Sequence, residues 1–167
     1  MTSKSSNQSD VERKKHEDSI KYLYFSRYLM VRYSIVIFLF ANLFWLLILV
    51  EYQKLPGIIL AGLMTILSGI AAIEQLTKMH NRKSDVPITR IYLWIQIIVN
   101  LLLACSLFIP FKKQILPFIT DQNSVYFMVA FLLAGILLAY FCERRIHNIN
   151  IGKDKYLNAI KAVEKNK

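Results

Sequence analysis

Residues 33–73 read YSIVIFLFANLFWLLILVEYQKLPGIILAGLMTILSGIAAI, and this stretch decides the fold. It contains two uncharged blocks, 33–50 and 55–73, and the only charged side chains between them are Glu51 and Lys54. An α-helix of about 20 apolar residues crosses the hydrocarbon core of a bilayer. A connection this short places two helices side by side and antiparallel. The stretch therefore predicts a transmembrane helical hairpin.

Two further uncharged blocks, 91–110 and 125–142, predict a second hairpin. All four blocks are continuously apolar rather than alternating, which favours helices over a β-barrel in a medium where every backbone hydrogen bond must be satisfied. The chain has 167 residues, is 55% hydrophobic and has a mean hydropathy of +0.38. A soluble helical bundle would account for one such block but not for four. We therefore expect an all-α integral membrane protein, a bundle of four antiparallel transmembrane helices.

The distribution of basic residues predicts the orientation in the membrane. Of the 21 lysines and arginines, 18 precede the first block, separate the second from the third, or follow the fourth. The other two connections contain only Lys54, Lys112 and Lys113. Cytoplasmic loops are richer in lysine and arginine, so both termini are expected in the cytoplasm of a multi-pass cell-membrane protein. The net charge of +10 is then a topology signal, and no nucleic-acid partner is expected.

The segments outside the transmembrane domain, 33–142, are basic and more polar. We expect 1–17 to be a disordered arm, because it has few hydrophobic residues. Residues 18–32 mix aromatic and basic side chains at helical spacing, which predicts an amphipathic helix at the lipid interface. Residues 143–167 form a basic cytoplasmic tail in which a helical stripe of apolar residues is interrupted at Gly152. This pattern predicts a short amphipathic helix near the end of the chain.

The boundaries of the blocks carry further local signals. Pro87 suits the first turn of the third helix, with Ser84 or Asp85 as its cap. The connection 111–124 is rich in apolar residues, so we expect it to lie on the outer surface of the bilayer. Basic side chains at block ends are expected to anchor the helices at lipid phosphates. These are Arg27, Arg32, Arg144 and Arg145.

The polar residues that lie at depth in the blocks are all uncharged: Asn42, Thr65, Ser68, Gln96, Asn100 and Ser106. Proton-coupled transporters and intramembrane aspartyl proteases need an ionisable group at this depth, so the sequence disfavours both classes. Gln96 and Asn100 are four residues apart and share one helix face. Amides in hydrocarbon seek partners, so hydrogen bonds between helices are the favoured interpretation. A site for a small polar ligand is the alternative.

Small residues recur at intervals of four in two of the blocks and allow close approach of helix backbones. Packing within the bundle is favoured over packing against a second protein or a second copy of the chain. The residues concerned are Ala61, Gly69 and Ala72 in the second block, and Ala130, Ala134, Gly135 and Ala139 in the fourth.

Three side chains at the predicted cytoplasmic boundary have the chemistry of acid–base catalysis: Glu74, Glu143 and His147. Their spacing matches no catalytic or metal-binding motif, and Arg144 beside Glu143 favours an ionised carboxylate. We interpret these residues as helix-end charges, and expect no catalytic residue, no metal and no cofactor.

Residues 22–49 read YLYFSRYLMVRYSIVIFLFANLFWLLIL, in which the aromatic and basic segment RYLMVRY is followed by FANLFW. This stretch resembles a group of small four-span membrane proteins of low-GC Gram-positive bacteria. The resemblance implies a bacterial cell-membrane protein with four spans. Some members are labelled as a cellobiose phosphotransferase subunit. A IIA subunit of that system is soluble and phosphorylated on histidine, so the resemblance transfers neither that activity nor any functional residue.

The sequence therefore leads to three hypotheses about function. The first is a non-enzymatic accessory or regulatory protein that acts through a membrane or cytoplasmic protein partner, or as a homo-oligomer, in contact with the lipid bilayer. The second is an oligomeric channel or carrier for a small solute. The third is a membrane enzyme that acts on lipid headgroups.

Overall fold

The computed structural model describes residues 2–81, 86–109 and 112–153, with side chains described except at 2–13, 16, 17, 21, 24, 27, 79–81, 112 and 113. The described chain is all α-helical. The helices are α1 (Thr2–Glu51), α2 (Leu55–Asn81), α3 (Pro87–Ser106), α4 (Lys112–Ile115) and α5 (Gln122–Asn150). Four of these are long and apolar enough to cross a membrane, which confirms the predicted class.

The four long helices form an antiparallel bundle. α1 packs against α2 and α5, and α3 packs against the same two helices. We call the end that holds the α2–α3 connection and Asn150 the terminal end, and the end that holds residues 52–54 and 107–121 the loop end. Only 22–33% of the most apolar window of each helix is buried inside the bundle. The remaining apolar side chains point outward, and this surface suits contact with lipid rather than water.

α1 is one continuous helix from Thr2, and this differs from the disordered arm predicted for 1–17 and the separate interfacial helix predicted for 18–32. Residues 2–51 contain neither glycine nor proline. Once the apolar part of a helix has formed, each further residue adds a hydrogen bond without a new nucleation cost. The candidate span begins only at Tyr28, so α1 extends well beyond the bundle.

α3 lies four residues nearer the N-terminus than the predicted block 91–110. It begins at Pro87, whose missing N–H belongs to a position without a helical partner. It ends at Ser106, and a turn follows. Pro110 favours the early end, since proline has no N–H to donate to the carbonyl four residues earlier, which belongs to Ser106. The predicted caps Ser84 and Asp85 lie outside the described residues, and the N-cap position is Val86.

The described part of the connection between α3 and α5 folds onto the loop end of the bundle. Leu116 and Ile119 are buried against side chains of α3 and α5. The indole N–H of Trp45 donates to the Ile115 carbonyl at 3.2 Å. A Cβ at Gly57 would lie 3.0 Å from the Gln114 carbonyl oxygen, so this glycine allows the connection to approach. The apolar side chains of the segment favour this burial.

α5 continues past its predicted span and ends at Asn150. The turn that follows contains Gly152, which has a φ of 73°. The Gly152 N–H donates to the Ile149 carbonyl, and the Lys153 N–H donates to the Asn148 carbonyl, each at 3.1 Å. This pair of bonds is the Schellman ending that glycine favours. The amphipathic helix predicted beyond Gly152 falls at 154–167, outside the described residues.

Candidate functional site

A cluster of buried polar side chains lies across the middle of the bundle between α1 and α3. Gln96 Oε1 accepts from the Tyr92 hydroxyl at 2.8 Å and from Asn42 Nδ2 at 3.2 Å. Asn42 Nδ2 also donates to the Tyr92 oxygen at 3.3 Å. Gln96 Nε2 donates to Asn100 Oδ1 at 2.9 Å. The structure thus brings together the three amides that the sequence singled out and adds Tyr92 to them.

Thr65 and Ser68, the other polar residues predicted within the membrane, bond mainly to their own helix. Thr65 Oγ1 donates to the Ala61 carbonyl, and Ser68 Oγ donates to the Thr65 carbonyl, each at 2.8 Å. Ser68 is fully buried and is also a hydrogen-bonding neighbour of Tyr92. Of these two residues, only Ser68 connects α2 to the cluster.

A cavity of about 460 Å³ lies beside the cluster in the loop half of the bundle. It is lined by residues of α1, α3 and α5, together with Leu116 and Phe118 of the connection between α3 and α5. Asn42, Gln96 and Asn100 all line it. The remaining lining is almost entirely apolar and includes several aromatic rings. The arrangement is a hydrophobic cavity with polar groups gathered at one place, which is the usual form of a small-molecule site.

Gly135 makes room for one of the amides that line this cavity. A Cβ at Gly135 would lie 2.6 Å from Asn100 Nδ2 and 3.8 Å from Phe38 Cε1. No real Cβ approaches a nitrogen so closely, so the absence of a side chain on α5 makes room for the Asn100 amide. The small residue predicted to serve helix packing therefore also accommodates a polar group.

The other small residues predicted for helix packing differ in their surroundings. Ala61 and Ala139 are fully buried. Ala72 and Gly69 are half-buried, but a Cβ at Gly69 would meet nothing within 4 Å. Ala130 and Ala134 are exposed on α5. Small size thus serves close packing at some of these positions, while Ala134 instead lines the cavity.

At the terminal end, the carboxylate of Glu74 on α2 caps the start of α3. It accepts from the Ile88 N–H at 3.2 Å, the Thr89 N–H at 2.6 Å and the Thr89 hydroxyl at 2.8 Å. Gln75 Nε2 donates to the same hydroxyl at 3.0 Å. The first N–H groups of a helix have no partner within the helix, and an anion is favourable there. The cap of α3 therefore comes from a neighbouring helix.

Glu143, the second candidate for acid–base chemistry, is paired with an arginine of α3. Its Oε1 accepts from Arg90 Nη2 at 3.0 Å and from Arg90 Nε at 3.2 Å. The Glu143 side chain is 13% exposed and that of Arg90 is 44% exposed. His147 is exposed on α5. No bond joins any two of the three candidates Glu74, Glu143 and His147 in the described part of the chain.

The arginines predicted to anchor the helices have different surroundings. The Arg32 guanidinium lies 5.0 Å from the centre of the Phe25 ring. Its Nε and Nη1 are buried without a hydrogen-bond partner among the described residues. Arg144 is exposed and Arg145 is half-buried, while the Arg27 side chain lies outside the described set. Among the three of these arginines whose side chains are described, only Arg144 is exposed, as a contact with lipid phosphates requires.

Four residues of these clusters were not singled out from the sequence: Gln75, Thr89, Arg90 and Tyr92. Tyr92 had a usable signal, because it precedes Gln96 by four residues and so shares its helix face. No sequence signal pointed to the partners of Glu74 and Glu143, since these contacts depend on how α3 packs against α2 and α5.

Comparison with known proteins gives no family to start from. No family model, curated protein or solved structure matches the chain. Within the described residues, no group of three or more His, Cys, Asp or Glu side chains is placed to hold a metal ion. The function is therefore inferred from the two clusters and the cavity.

Proposed function

We propose that this chain is a non-enzymatic accessory or regulatory protein of the cell membrane that acts by binding another protein. The observation that carries the proposal is the continuation of α1 beyond its candidate span. Its candidate span begins at Tyr28, whereas the helix begins at Thr2. At about 1.5 Å per residue, this arm is roughly 39 Å long. A helix of that length outside the bilayer offers a surface for a partner.

The exposed aromatic side chain of Tyr22 supports this role for the arm. Tyr22 is 68% exposed, and tyrosine is enriched at protein interfaces. The arm is also basic, with Lys14 and Lys15 both exposed. An acidic or amphipathic segment of a partner protein would complement this surface.

The bonds of the two carboxylates support a role without catalysis. A general acid or base must be free to exchange a proton with a substrate. Glu74 accepts three hydrogen bonds at the start of α3, and Glu143 is paired with Arg90. These uses explain both residues as parts of the bundle. The packing of the terminal half also weighs against a channel through one copy of the chain, because Val31 and Cys142 there are fully buried.

The proposed orientation places the arm in the cytoplasm, as the excess of basic residues at the terminal end suggests. Reporter fusions test this directly. Fusions at Lys54 and Gln114 should report an external location, and fusions at Asn81 and after Asn166 an internal one. An external signal at Asn81 would refute the orientation.

Site-specific photo-cross-linking in intact cells tests the protein partner. A photoreactive residue replaces Tyr22 on the arm or, as the matched control, Tyr126 on α5, which is 63% exposed at the loop end. We expect one discrete adduct from position 22 and none from position 126. An adduct of twice the chain's mass would identify a second copy as the partner. Adducts to lipid alone at both positions would contradict the proposal.

A further inference from the structure

The cavity opens sideways between α1 and α5. In the terminal half the two helices share one buried core, in which Val31 and Ile35 lie with Cys142 and Ile146. In the loop half, residues of both helices line the cavity. Its rim there includes side chains that are more than half exposed: Ile37, Phe44, Phe127 and Phe131. Because these helices lie in the membrane, the opening faces the bilayer interior.

The size and lining of the cavity restrict what can occupy it. About 460 Å³ is within the range of roughly 300–1,000 Å³ found for small-molecule sites. None of the described residues that line it is ionisable. A charged group brought to this depth would lack a counter-ion, and its desolvation would be strongly unfavourable. The occupant is therefore neutral and soluble in lipid.

Two amide groups at the cavity lack part of their hydrogen bonding. Asn42 and Asn100 are each only 5% exposed. The Asn42 amide uses its nitrogen for Gln96 and Tyr92, so its Oδ1 accepts nothing from the described residues. The Asn100 amide uses its oxygen for Gln96, so its Nδ2 donates to nothing among them. Neither atom is among the fully buried unpaired atoms of the described residues, so each keeps some accessible surface at the cavity. One acceptor and one donor are thus available to an occupant.

We infer that this cavity binds a lipophilic alcohol, a neutral molecule with one hydroxyl group on an apolar body. The hydroxyl accepts a hydrogen bond from Asn100 Nδ2 and donates one to Asn42 Oδ1. The apolar body lies against the rings of Phe44 and Phe127 and reaches the cavity through its opening to the bilayer. A hydrocarbon would leave both amides unpaired, and a carboxylate or ammonium would bring an uncompensated charge. This inference does not depend on the protein partner proposed above.

The two tryptophans of the chain provide an optical test. Trp45 lines the cavity, whereas Trp94 lies on the outer face of α3 and is half exposed. The substitution Trp94→Phe leaves Trp45 as the single tryptophan. The protein in lipid nanodiscs is titrated with a brominated long-chain alcohol, and Trp45 quenching is recorded. The brominated alkane and the ionised fatty acid of equal length serve as comparison probes.

We expect the alcohol to quench Trp45 saturably, at a mole fraction roughly tenfold lower than the alkane or the acid, the advantage of one or two hydrogen bonds. In the Trp94→Phe background, Ala134→Phe should abolish the saturable quenching by filling the cavity. Ala130→Phe is the matched control, since Ala130 is an exposed alanine of the same helix outside the cavity lining. The double substitution Asn42→Leu and Asn100→Leu should bring the alcohol and the alkane to the same half-saturation.

Equal quenching by the alcohol and the alkane in the Trp94→Phe protein would overturn the inference without any further variant. Quenching that rises linearly with mole fraction would also overturn it. Such quenching reports contact of Trp45 with alcohol dissolved in the bulk lipid, and it leaves only water as a partner for the cavity amides. Saturable binding of the ionised acid at the same mole fraction as the alcohol would also overturn it. Should the cavity variants fail to fold, the three-probe comparison in that single-tryptophan protein still decides the outcome.

Discussion

The two ends of the bundle use similar polar side chains in different ways. At the terminal end, Glu74 and Gln75 of α2 meet Thr89 of α3, and the Glu74 carboxylate accepts three hydrogen bonds. In the loop half, Asn42 and Asn100 bond only through one atom of each amide. The three residues of the terminal cluster are buried and are not part of the cavity lining, whereas the amide cluster lies beside the cavity.

This difference shows how to separate structural from binding roles among buried polar groups. A polar network in a low-dielectric region holds a structure together when every member is satisfied, and it is costly when some are not. At the terminal end, the Glu74 carboxylate accepts three hydrogen bonds from the start of α3 and therefore fixes the register of α2 against α3. In the amide cluster, Asn42 Oδ1 and Asn100 Nδ2 have no described partner and are available to a ligand. Four predictions test the contrast, from the largest expected effect to the smallest.

Removing the carboxylate that caps α3 should have the largest effect. Glu74→Ala leaves the N–H groups of Ile88 and Thr89 without their acceptor, and hydrogen bonds to a charged group each contribute about 1.5–3 kcal/mol. We expect a loss of about 2–3 kcal/mol in unfolding free energy, measured by denaturation in mixed micelles. Glu51→Ala, at the exposed end of α1, is the control and should stay within about 0.5 kcal/mol of wild type. Equal losses for both would show that Glu74 is no cap.

A side chain at Gly135 should disturb the amide cluster. In Gly135→Ala the new methyl group displaces the Asn100 amide, and overpacking of this kind costs about 1–3 kcal/mol. The control is Gly69→Ala, where the added methyl group meets open space. That variant should gain up to about 1 kcal/mol from helix propensity. The order of the two unfolding free energies is the test, and a Gly135→Ala protein as stable as Gly69→Ala would contradict the packing described.

The ion pair between α3 and α5 should contribute less, because Arg90 is 44% exposed and solvent screens the pair. Arg90→Lys removes the two-pronged contact with Glu143, and we expect a loss of at most about 1 kcal/mol. Arg144→Lys, on the exposed side of α5, is the control. A double-mutant cycle with Glu143→Gln measures the coupling, and a coupling of zero would show that the pair is not formed.

The carboxylate at the start of α5 should give the smallest effect, visible only as pH dependence. Hydrogen bonds from the Ser124 and Thr120 hydroxyls lower the pKa of Asp121. A lowered pKa in the folded state means stability that is present above the unfolded pKa and lost as the pH falls through the folded one. Ser124→Ala should raise the Asp121 pKa toward its ordinary value in an NMR titration. An unchanged titration would show that the Ser124 hydroxyl does not bind this carboxylate.

The number and order of the spans follow from the sequence because the bilayer imposes a length and an apolar composition on each helix. The same reasoning found Asn42, Gln96 and Asn100, since amides stand out in apolar blocks. Their partial pairing and the adjoining cavity could not be predicted, because both depend on the separation of α1 and α5. That separation arises from tertiary packing between segments about 90 residues apart in the chain.

Local signals also did not reveal contacts with distant residues. Serine and aspartate before Pro87 suggested a cap within the chain segment itself, whereas the donors at Ile88 and Thr89 are bound by Glu74 of another helix. The apolar connection after α3 suggested a membrane-surface segment. This segment packs against apolar side chains at the loop end of the bundle, and Leu116 is buried there.

The most direct test of the contrast compares two buried amides, one from each cluster. The side-chain N–H signals of Gln75 and Asn100 can be followed by NMR in nanodiscs, with Gln75→Glu and Asn100→Asp to assign them. Gln75 Nε2 already donates to Thr89, whereas Asn100 Nδ2 has no described acceptor. On addition of a long-chain alcohol, the Asn100 signals should move saturably while those of Gln75 stay in place. Asn100 signals that remain unmoved, or that move only together with those of Gln75, would contradict the assignment of a structural role to one cluster and a binding role to the other.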